Sequence, residues 1–124
     1  MNLDKKIATR QSFGEALKLL GDENENIVVL DSDLSTATKS NIFAKAHPDR
    51  FFDIGIAEQN MIGIASGMAT CGKIPYACSF AVFVTGRVYD QIRSSVAYPN
   101  LNVKICGTHS RSYSRGRWCN TSNA

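Results

Sequence analysis

The continuous apolar run Ile27–Leu30 (IVVL) constrains the fold of this chain more than any other feature. A strand with no alternating polar residues must be covered on both faces, and such strands are typical of parallel sheets. Further short strands are predicted at Phe51–Asp53, Tyr76–Phe80 and Asn102–Cys106. Helical segments are predicted between them, and this alternation predicts an α/β fold with a parallel sheet and helices on both faces.

The helical segments are marked by capping residues and by apolar spacing. Ser12 and Glu15 form a predicted capping box, and Gly21 is the predicted end of that first helix. The other predicted helices are Ser40–Ala46, Ala57–Cys71 and about Gly86–Ala97. Gly63 and Gly67 weaken the helix that contains them, so we expect that helix to pack closely against a neighbour there.

The charge distribution argues against a nucleic-acid partner. The formal net charge is +3, but Arg111, Arg115 and Arg117 lie in an acid-free tail, which leaves 14 − 3 = 11 basic and 11 acidic residues in the remainder. A balanced body of this kind does not indicate a polyanion partner. No apolar run approaches the roughly 18 residues of a membrane span, and no signal peptide opens the chain. We therefore expect a cytoplasmic protein without a membrane partner.

The cysteines and histidines do not predict a metal site. The four cysteines include no CxxC pair, and the chain has two histidines, so a zinc site is not expected. Cys71, Cys78 and Cys106 lie in apolar contexts and are predicted to be small buried thiols, with a disulfide framework as the weaker alternative. His47 precedes Pro48 and is predicted to lie on the surface.

A segment with polar residues follows each predicted strand, and packing alone does not explain these residues. The segments are Asp31–Ser35, Gly55–Gln59, Ser79–Phe83 and Gly107–Ser110. Because the carboxyl ends of parallel strands meet at one edge, and ligands of such sheets bind there, we expect a binding site at this edge.

These segments resemble the transketolase family in order and spacing. Ile54–Gln59 (IGIAEQ) resembles its glutamate motif and Ser79–Phe83 (SFAVF) its aromatic segment, and the resemblance covers Ala8–Ser110. It implies that this domain binds the pyrimidine end of thiamine diphosphate. The diphosphate and its divalent metal would be held by a diphosphate-binding transketolase subunit or domain, so no metal ligand is expected on this chain.

By that resemblance, Glu58 hydrogen-bonds the pyrimidine ring nitrogen and is catalytic. A carboxyl that shares a proton there favours the imino form of the cofactor's amine, which removes the thiazolium C2 proton. The alternative is an ordinary first-turn acid that complements the helix dipole. Phe80 and Phe83 would pack against the pyrimidine, with core packing as their alternative. Gly86 stands where many transketolases have a third aromatic residue.

Three more residues match interface or substrate positions of the family. Asp33 matches an aspartate at the cofactor interface, with a helix N-cap as an equally weighted alternative. Arg10 and His109 match residues that contact sugar phosphates. An arginine suits this role because its planar fork can bind phosphate with two hydrogen bonds. The alternative for Arg10 is a solvated residue before the first helix. Deoxyxylulose-phosphate synthases typically lack the Thr108-His109 pair, which therefore favours transketolase. His109 is the second predicted catalytic residue.

The tail, residues 111–124, does not fit the family. Read one base out of frame, a suitable choice of codons for it gives Gly-Val-Thr-Val-Gly-Glu-Asp-Gly-Ala-Thr-His-Gln-Met, which resembles the family's continuation. We therefore predict an incomplete pyrimidine-binding domain over residues 1–110, truncated by a frameshift after Ser110 in the gene or its determined sequence. Residues 111–124 would be a non-native, poorly packed tail. A natural divergent tail is the alternative.

The resemblance implies one subunit of a split transketolase, which moves a two-carbon ketol unit between sugar phosphates. Met1 lies just before the family-like segment Ala8–Arg10, and this favours the split arrangement. We expect a homo- or hetero-oligomer, and no activity from this chain alone, because half of the cofactor site would lie elsewhere. The alternatives are a deoxyxylulose-phosphate synthase-like domain and a non-catalytic assembly module with the same fold.

Overall fold

A computed structural model describes residues 6–110, together with the backbone of residues 113–114 and 117–118. The helices are α1 Thr9–Glu23, α2 Ser35–Thr38, α3 Asn41–Ala46, α4 Glu58–Thr70, α5 Ala81–Thr85 and α6 Tyr89–Gln91, which continues as a π-helix over Ile92–Ala97. The strands are β1 Ile27–Asp31, β2 Phe51–Asp53, β3 Ile74–Phe80, β4 Lys104–Thr108, β5 Tyr113–Ser114 and β6 Arg117–Trp118, and a 3-10 turn, Pro48–Arg50, leads into β2.

Four strands form a parallel sheet in the order β2-β1-β3-β4. All residues of β1 are buried, as the unbroken apolar run Ile27–Leu30 predicts for a central strand. The separate pair β5-β6 is antiparallel. The predicted parallel α/β class is confirmed. The predicted domain end at Ser110, the frameshift and the poor packing of the tail concern residues outside those described in full, and they stay predictions.

The two faces of the sheet carry separate apolar clusters. Val28 and Leu30 of β1 pack on one face with residues of α4, α5 and the π-helix Ile92–Ala97, including Met61 and Val84. The alternate residues Ile27 and Val29 pack on the other face, where the cluster includes Leu17 of α1 and Phe43 of α3. Because successive side chains of a strand point to opposite faces, one apolar strand supports both helical layers, and the predicted coverage of both faces is found.

The predicted ends of the first helix are wrong. The residue before α1 is Ala8, which makes no side-chain cap, so Ser12 lies inside the helix and is not its N-cap. The helix also continues past Gly21 to Glu23. A Cβ atom at Gly21 would lie 2.5 Å from the Phe43 ring, so this glycine allows α3 to pack closely and does not end the helix.

Three other predictions are corrected by how exposed the residues are. Gly63 and Gly67 are exposed, and an added Cβ would meet no atom within 4 Å at either position, so they do not pack closely within this chain. Cys71 is exposed rather than buried. The side chain of His47 is only 17% exposed. Its Nδ1 accepts from Arg50 Nη2 at 2.7 Å, and its Nε2 lies 2.8 Å from Asp22 Oδ1, so the predicted surface position is wrong.

The segment after β3 becomes helical earlier than predicted. α5 starts at Ala81, directly after Phe80, so Phe83 lies on a helix and not at the end of a strand. Gly107 of β4 allows this, because its missing Cβ would lie 2.8 Å from the Ala81 Cα. The close approach positions α5 at the carboxyl edge of the sheet. In the described part of the chain, no helix has the length and apolar character needed to cross a membrane.

Candidate functional site

The loop after β1 is held by a buried carboxylate, Asp31. Its Oδ1 accepts from the Leu34 backbone N–H (2.6 Å), and its Oδ2 accepts from the hydroxyls of Thr38 (2.7 Å) and Ser40 (2.8 Å). Burial raises the pKa of Asp31, while the hydrogen bonds from Thr38, Leu34 and Ser40 act in the opposite direction. With three donors directed at it, this carboxylate stabilises the loop and has little capacity left for a ligand.

A second carboxylate, Asp53, ties two loops of the edge together. Its Oδ1 accepts from the backbone N–H of Gly55 (2.9 Å) and of Asp33 (3.1 Å). Gly55 has a φ of +83°, a conformation that glycine adopts without steric cost. Asp33 has a φ of +64° and is exposed. The residue that precedes α2 is Leu34, which makes no side-chain cap, so the N-cap alternative for Asp33 is wrong.

Glu58 is the first residue of α4 and is only 4% exposed. Its Oε2 accepts from Arg87 Nη1 at 3.3 Å. Among the described residues no donor is directed at its other oxygen, Oε1. The N-terminal end of a helix favours a negative charge, which helps a carboxylate to stay at this position. Glu58 is therefore a nearly buried acid with acceptor capacity to spare.

Arg87 is a site residue that the sequence reasoning missed. Its guanidinium lies 4.4 Å from the centre of the Phe83 ring, and its backbone carbonyl accepts from Gln59 Nε2 at 3.1 Å. Phe83 in turn stacks on Phe80, with ring centres 6.0 Å apart. The available signal was a cation directly after Gly86, the position that lacks the family's third aromatic residue.

The other end of this edge is formed by His109 and Arg10. The His109 ring lies 4.4 Å from the Phe80 ring, its Nδ1 is 2.9 Å from the Thr108 hydroxyl, and its Nε2 is 3.4 Å from Arg10 Nη1. Arg10 lies in the first turn of α1 and also donates to the Ala37 carbonyl at 3.3 Å. It is exposed but positioned, and it does not precede the helix.

Arg10 and His109 lie in an open cleft of about 650 Å³. Among the described residues its lining includes no acid; it consists of Ala8, Thr9, Arg10, Phe13, Cys106, Gly107, Thr108, His109 and Ser110. A lining with an arginine, a histidine and hydroxyls is suited to an anion such as a phosphate ester.

The contacts form one continuous series along the carboxyl edge of the sheet. It runs in the order Glu58, Arg87, Phe83, Phe80, His109 and Arg10. The structure thus brings together all of the predicted site residues except Asp33, which lies on a neighbouring loop of the same edge. Within the residues that the structure describes, no cluster of three His, Cys, Asp or Glu side chains is placed to hold a metal ion.

Comparisons with known proteins identify the family of this chain. Residues 5–119 match the family "Transketolase, pyrimidine binding domain". A putative transketolase C-terminal section of Methanocaldococcus jannaschii is 57% identical over 100 residues, which are 81% of this chain and 32% of that relative. Human transketolase is 48% identical over 105 residues, 84% of this chain and 16% of that relative.

Solved structures show the same likeness. A split-gene transketolase, described as an inactive β4 tetramer, superimposes with a TM-score of 0.75 at 59% identity, over 82% of this chain and 34% of that one. Transketolase of Campylobacter jejuni gives a TM-score of 0.76 at 25% identity, over 86% and 17%. This chain spans about a third or less of the length of these proteins. By sequence and by fold, the chain belongs to the transketolase family and carries its pyrimidine-binding domain.

Proposed function

We propose that this chain is one subunit of a thiamine diphosphate-dependent transketolase and supplies the half-site for the cofactor's pyrimidine. The observation that carries the proposal is Glu58, a nearly buried carboxylate whose Oε1 has no donor among the described residues and which is linked through Arg87 to two stacked aromatic rings. A group of this kind can share a proton with a ring nitrogen while the rings contact a flat heterocycle. An acid kept only for helix stability does not need an aromatic neighbourhood.

The chain's own residues divide the work at this half-site. When bound, thiamine diphosphate would supply a thiazolium carbon as the nucleophile for the carbonyl of a ketose. Glu58 holds a proton at the pyrimidine nitrogen, and its burial keeps water from competing for that proton. Phe80 and Phe83 contact the pyrimidine and exclude water from its face. The ring nitrogen would engage Oε1, whereas Arg87 donates to Oε2. Because a carboxyl that shares a proton with the ring carries less negative charge for Arg87, the cofactor and Arg87 compete for the charge of one carboxyl group.

The cleft at the other end of the series is assigned to the substrate. Arg10 would bind the phosphate of a sugar phosphate, and His109, 3.4 Å from it, would reach the hydroxyls or the carbonyl oxygen near the reacting carbon. Phe80 contacts Phe83 on one side and this histidine on the other, so the two sites share the Phe80 ring as a wall. Asp33, exposed on the next loop, is assigned to the cofactor interface with the diphosphate-binding chain.

The other half of the site is assigned to a second polypeptide. A relative that is a transketolase C-terminal section and a neighbour that is a split-gene transketolase in an inactive β4 tetramer support a two-chain enzyme. The same neighbour supports the expectation that this chain is inactive by itself. The diphosphate and its divalent metal would bind to the partner, which fits a half-site whose own chemistry is aromatic contact and a single carboxyl.

Reconstitution with a diphosphate-binding transketolase subunit tests the proposal. With thiamine diphosphate and Mg²⁺, the mixture should transfer ketol groups between sugar phosphates while this chain alone does not. Glu58→Gln should lower the rate by about a hundredfold or more, the usual scale for a positioned acid or base. Glu23→Gln, at an exposed position of α1, is the matched control and should leave the rate unchanged.

The alternatives give different outcomes in the same mixture. Condensation of pyruvate with glyceraldehyde phosphate, without ketol transfer, would identify a deoxyxylulose-phosphate synthase. A complex whose rate is the same with Glu58 and with Gln at this position would identify a non-catalytic assembly module and would rule out the proposed role of Glu58.

A further inference from the structure

Two cysteines lie side by side on neighbouring strands, next to the cleft of Arg10 and His109. Cys78 of β3 and Cys106 of β4 are paired residues in the sheet register, and neighbouring strands are about 4.8 Å apart. Cys78 is fully buried, whereas Cys106 is half-buried and lines the cleft. The Cys106 thiol is therefore accessible from the cleft, and the Cys78 thiol lies next to it in the core.

The charges around Cys106 favour its ionised form. The neighbouring Cys78 thiol lowers the pKa of Cys106, burial opposes this, and Lys104 on the same strand lowers it further. Cys106 and burial in turn raise the pKa of Cys78 well above its ordinary value, so Cys78 stays protonated, and its thiol lies 3.9 Å from the Tyr76 carbonyl, to which it donates. Tyr76, two residues before Cys78 on β3, has a pKa raised by burial and by the charge of Cys106.

We propose that Cys106 is a modification site: a nucleophilic thiolate in the cleft that reacts preferentially with small anionic electrophiles. Reactive cysteines are partly exposed and lie in electropositive surroundings, and the described lining of this cleft carries Arg10 and His109 but no acid. The Arg10 guanidinium attracts an anionic reagent into the cleft, and Cys106 is part of the lining of the same cleft. This inference does not depend on the proposed catalytic function.

The reaction is a simple displacement. With iodoacetate, the Cys106 sulfur attacks the reagent's methylene carbon, an S–C bond forms, the C–I bond breaks, and iodide leaves with the electron pair. The thiol proton goes to solvent. The product places a carboxylate close to Arg10, so the adduct occupies the space that an anionic ligand of the cleft would use.

Charge-selective alkylation of the full chain tests the proposal. The chain is treated briefly with iodoacetate or with neutral iodoacetamide, quenched, and the rate at each cysteine is measured by peptide mass spectrometry. The ratio of the two rates at Cys106 should exceed the ratio at exposed Cys71 by roughly threefold or more, because a cationic cleft concentrates anions. Salt at roughly 1 M should abolish the difference, since it screens charges beyond a few ångströms.

Variants separate the charge of the cleft from the support of the thiol. Arg10→Met should lower the ratio at Cys106 and leave Cys71 unchanged. Cys78→Ala should slow Cys106 with both reagents, while Cys78→Ser, which keeps a donor, should preserve most of its reactivity; circular dichroism checks that each variant is folded. Equal ratios at Cys71 and Cys106, or a Cys106 that stays unlabelled while Cys71 reacts, would overturn the proposal.

Discussion

Asp31 and Glu58 are both nearly buried carboxylates at the carboxyl edge of the sheet, but their surroundings differ. Asp31 follows β1 and accepts three hydrogen bonds from its own loop. Glu58 begins α4 and has, among the described residues, one side-chain partner, the half-exposed Arg87. Burial alone therefore does not identify a functional acid. The number of protein donors directed at each carboxylate separates the acid that stabilises the loop from the acid that can still bind a ligand.

The loops around the two acids differ in the same way. The Asp31 loop is closed by buried hydroxyls, and Ser32 adds a 2.6 Å hydrogen bond to Ser79 of β3. The Glu58 region is built from stacked side chains: the Arg87 guanidinium packs on the Phe83 ring, and that ring packs on Phe80. A hydrogen-bonded loop resists rearrangement, whereas an exposed cation on an aromatic ring can be displaced at low cost.

The largest expected difference between the two acids is in stability. Asp31→Ala leaves two buried hydroxyls and one partly buried N–H without this acceptor, so the free energy of unfolding should fall by about 3 kcal/mol or more. Glu58→Gln loses one ion pair with a half-exposed arginine and should cost less than about 1 kcal/mol. Urea unfolding of both variants measures this. Similar losses for the two would contradict the assignment of Asp31 to structure and Glu58 to ligand.

A smaller effect is expected at Gly107, which positions the aromatic half of the Glu58 region. Gly107→Ala places a Cβ 2.8 Å from the Ala81 Cα, so it should push α5 from β4 and lower stability by about 2 kcal/mol. Gly63→Ala, where no atom lies within 4 Å, is the control and should stabilise α4 by up to about 1 kcal/mol. Thermal unfolding compares them, and a neutral Gly107→Ala would show that the close approach of α5 is not required.

Arg87 gives the next effect, on the affinity for the cofactor in the reconstituted enzyme. If Arg87 competes for Glu58, then Arg87→Met, which keeps the length but not the charge, should bind thiamine diphosphate severalfold more tightly. Calorimetric titration measures the affinity, and Arg93→Met, at an exposed helical position, is the control. Weaker binding would mean that Arg87 holds the cofactor rather than competing with it; the rate loss of Glu58→Gln tests the half-site separately.

The smallest expected effect is the pH dependence of Asp31. Burial raises its pKa in the folded chain, so the folded state binds this proton more tightly than the unfolded state. Its contribution to stability is therefore fully present below the unfolded carboxyl pKa of about 3.9, and it is lost as pH rises through the raised folded pKa. Asp31→Asn lacks this titration.

Urea unfolding across this acid range gives the sign. The free energy of unfolding of the wild type minus that of Asp31→Asn should decrease as pH rises and then become constant. A difference that grows with pH would mean that the hydrogen bonds from Thr38, Leu34 and Ser40 outweigh burial.

The sequence predicted the fold more reliably than the ends of its elements. The run Ile27–Leu30 determined a doubly covered central strand, because local apolarity on both faces has few other solutions. The first helix was misplaced. Ser12 carries the local capping pattern, but α1 begins at Thr9, where Arg10 donates to the Ala37 carbonyl. It also continues past Gly21, which packs closely on Phe43. Capping patterns are local, whereas these contacts join residues that are distant along the chain.

The sequence also predicted most of the candidate site. Glu58, Phe80, Phe83, Arg10 and His109 came from motifs that match a family, and the structure brings their side chains into one series of contacts. Their chemical roles stay predictions. Arg87 was missed because its partners lie on α4 and α5, and no spacing in the sequence shows that these two helices meet.

The sequence by itself determined the parallel sheet, the family and the positions at which side chains follow the strands. Only the tertiary structure decided which of those side chains have partners. Asp31 and Asp33 are two residues apart, yet one is enclosed by donors and the other is exposed. The physical reason is that a strand's periodicity sets where a side chain starts, whereas hydrogen bonding and burial depend on groups that are distant along the chain.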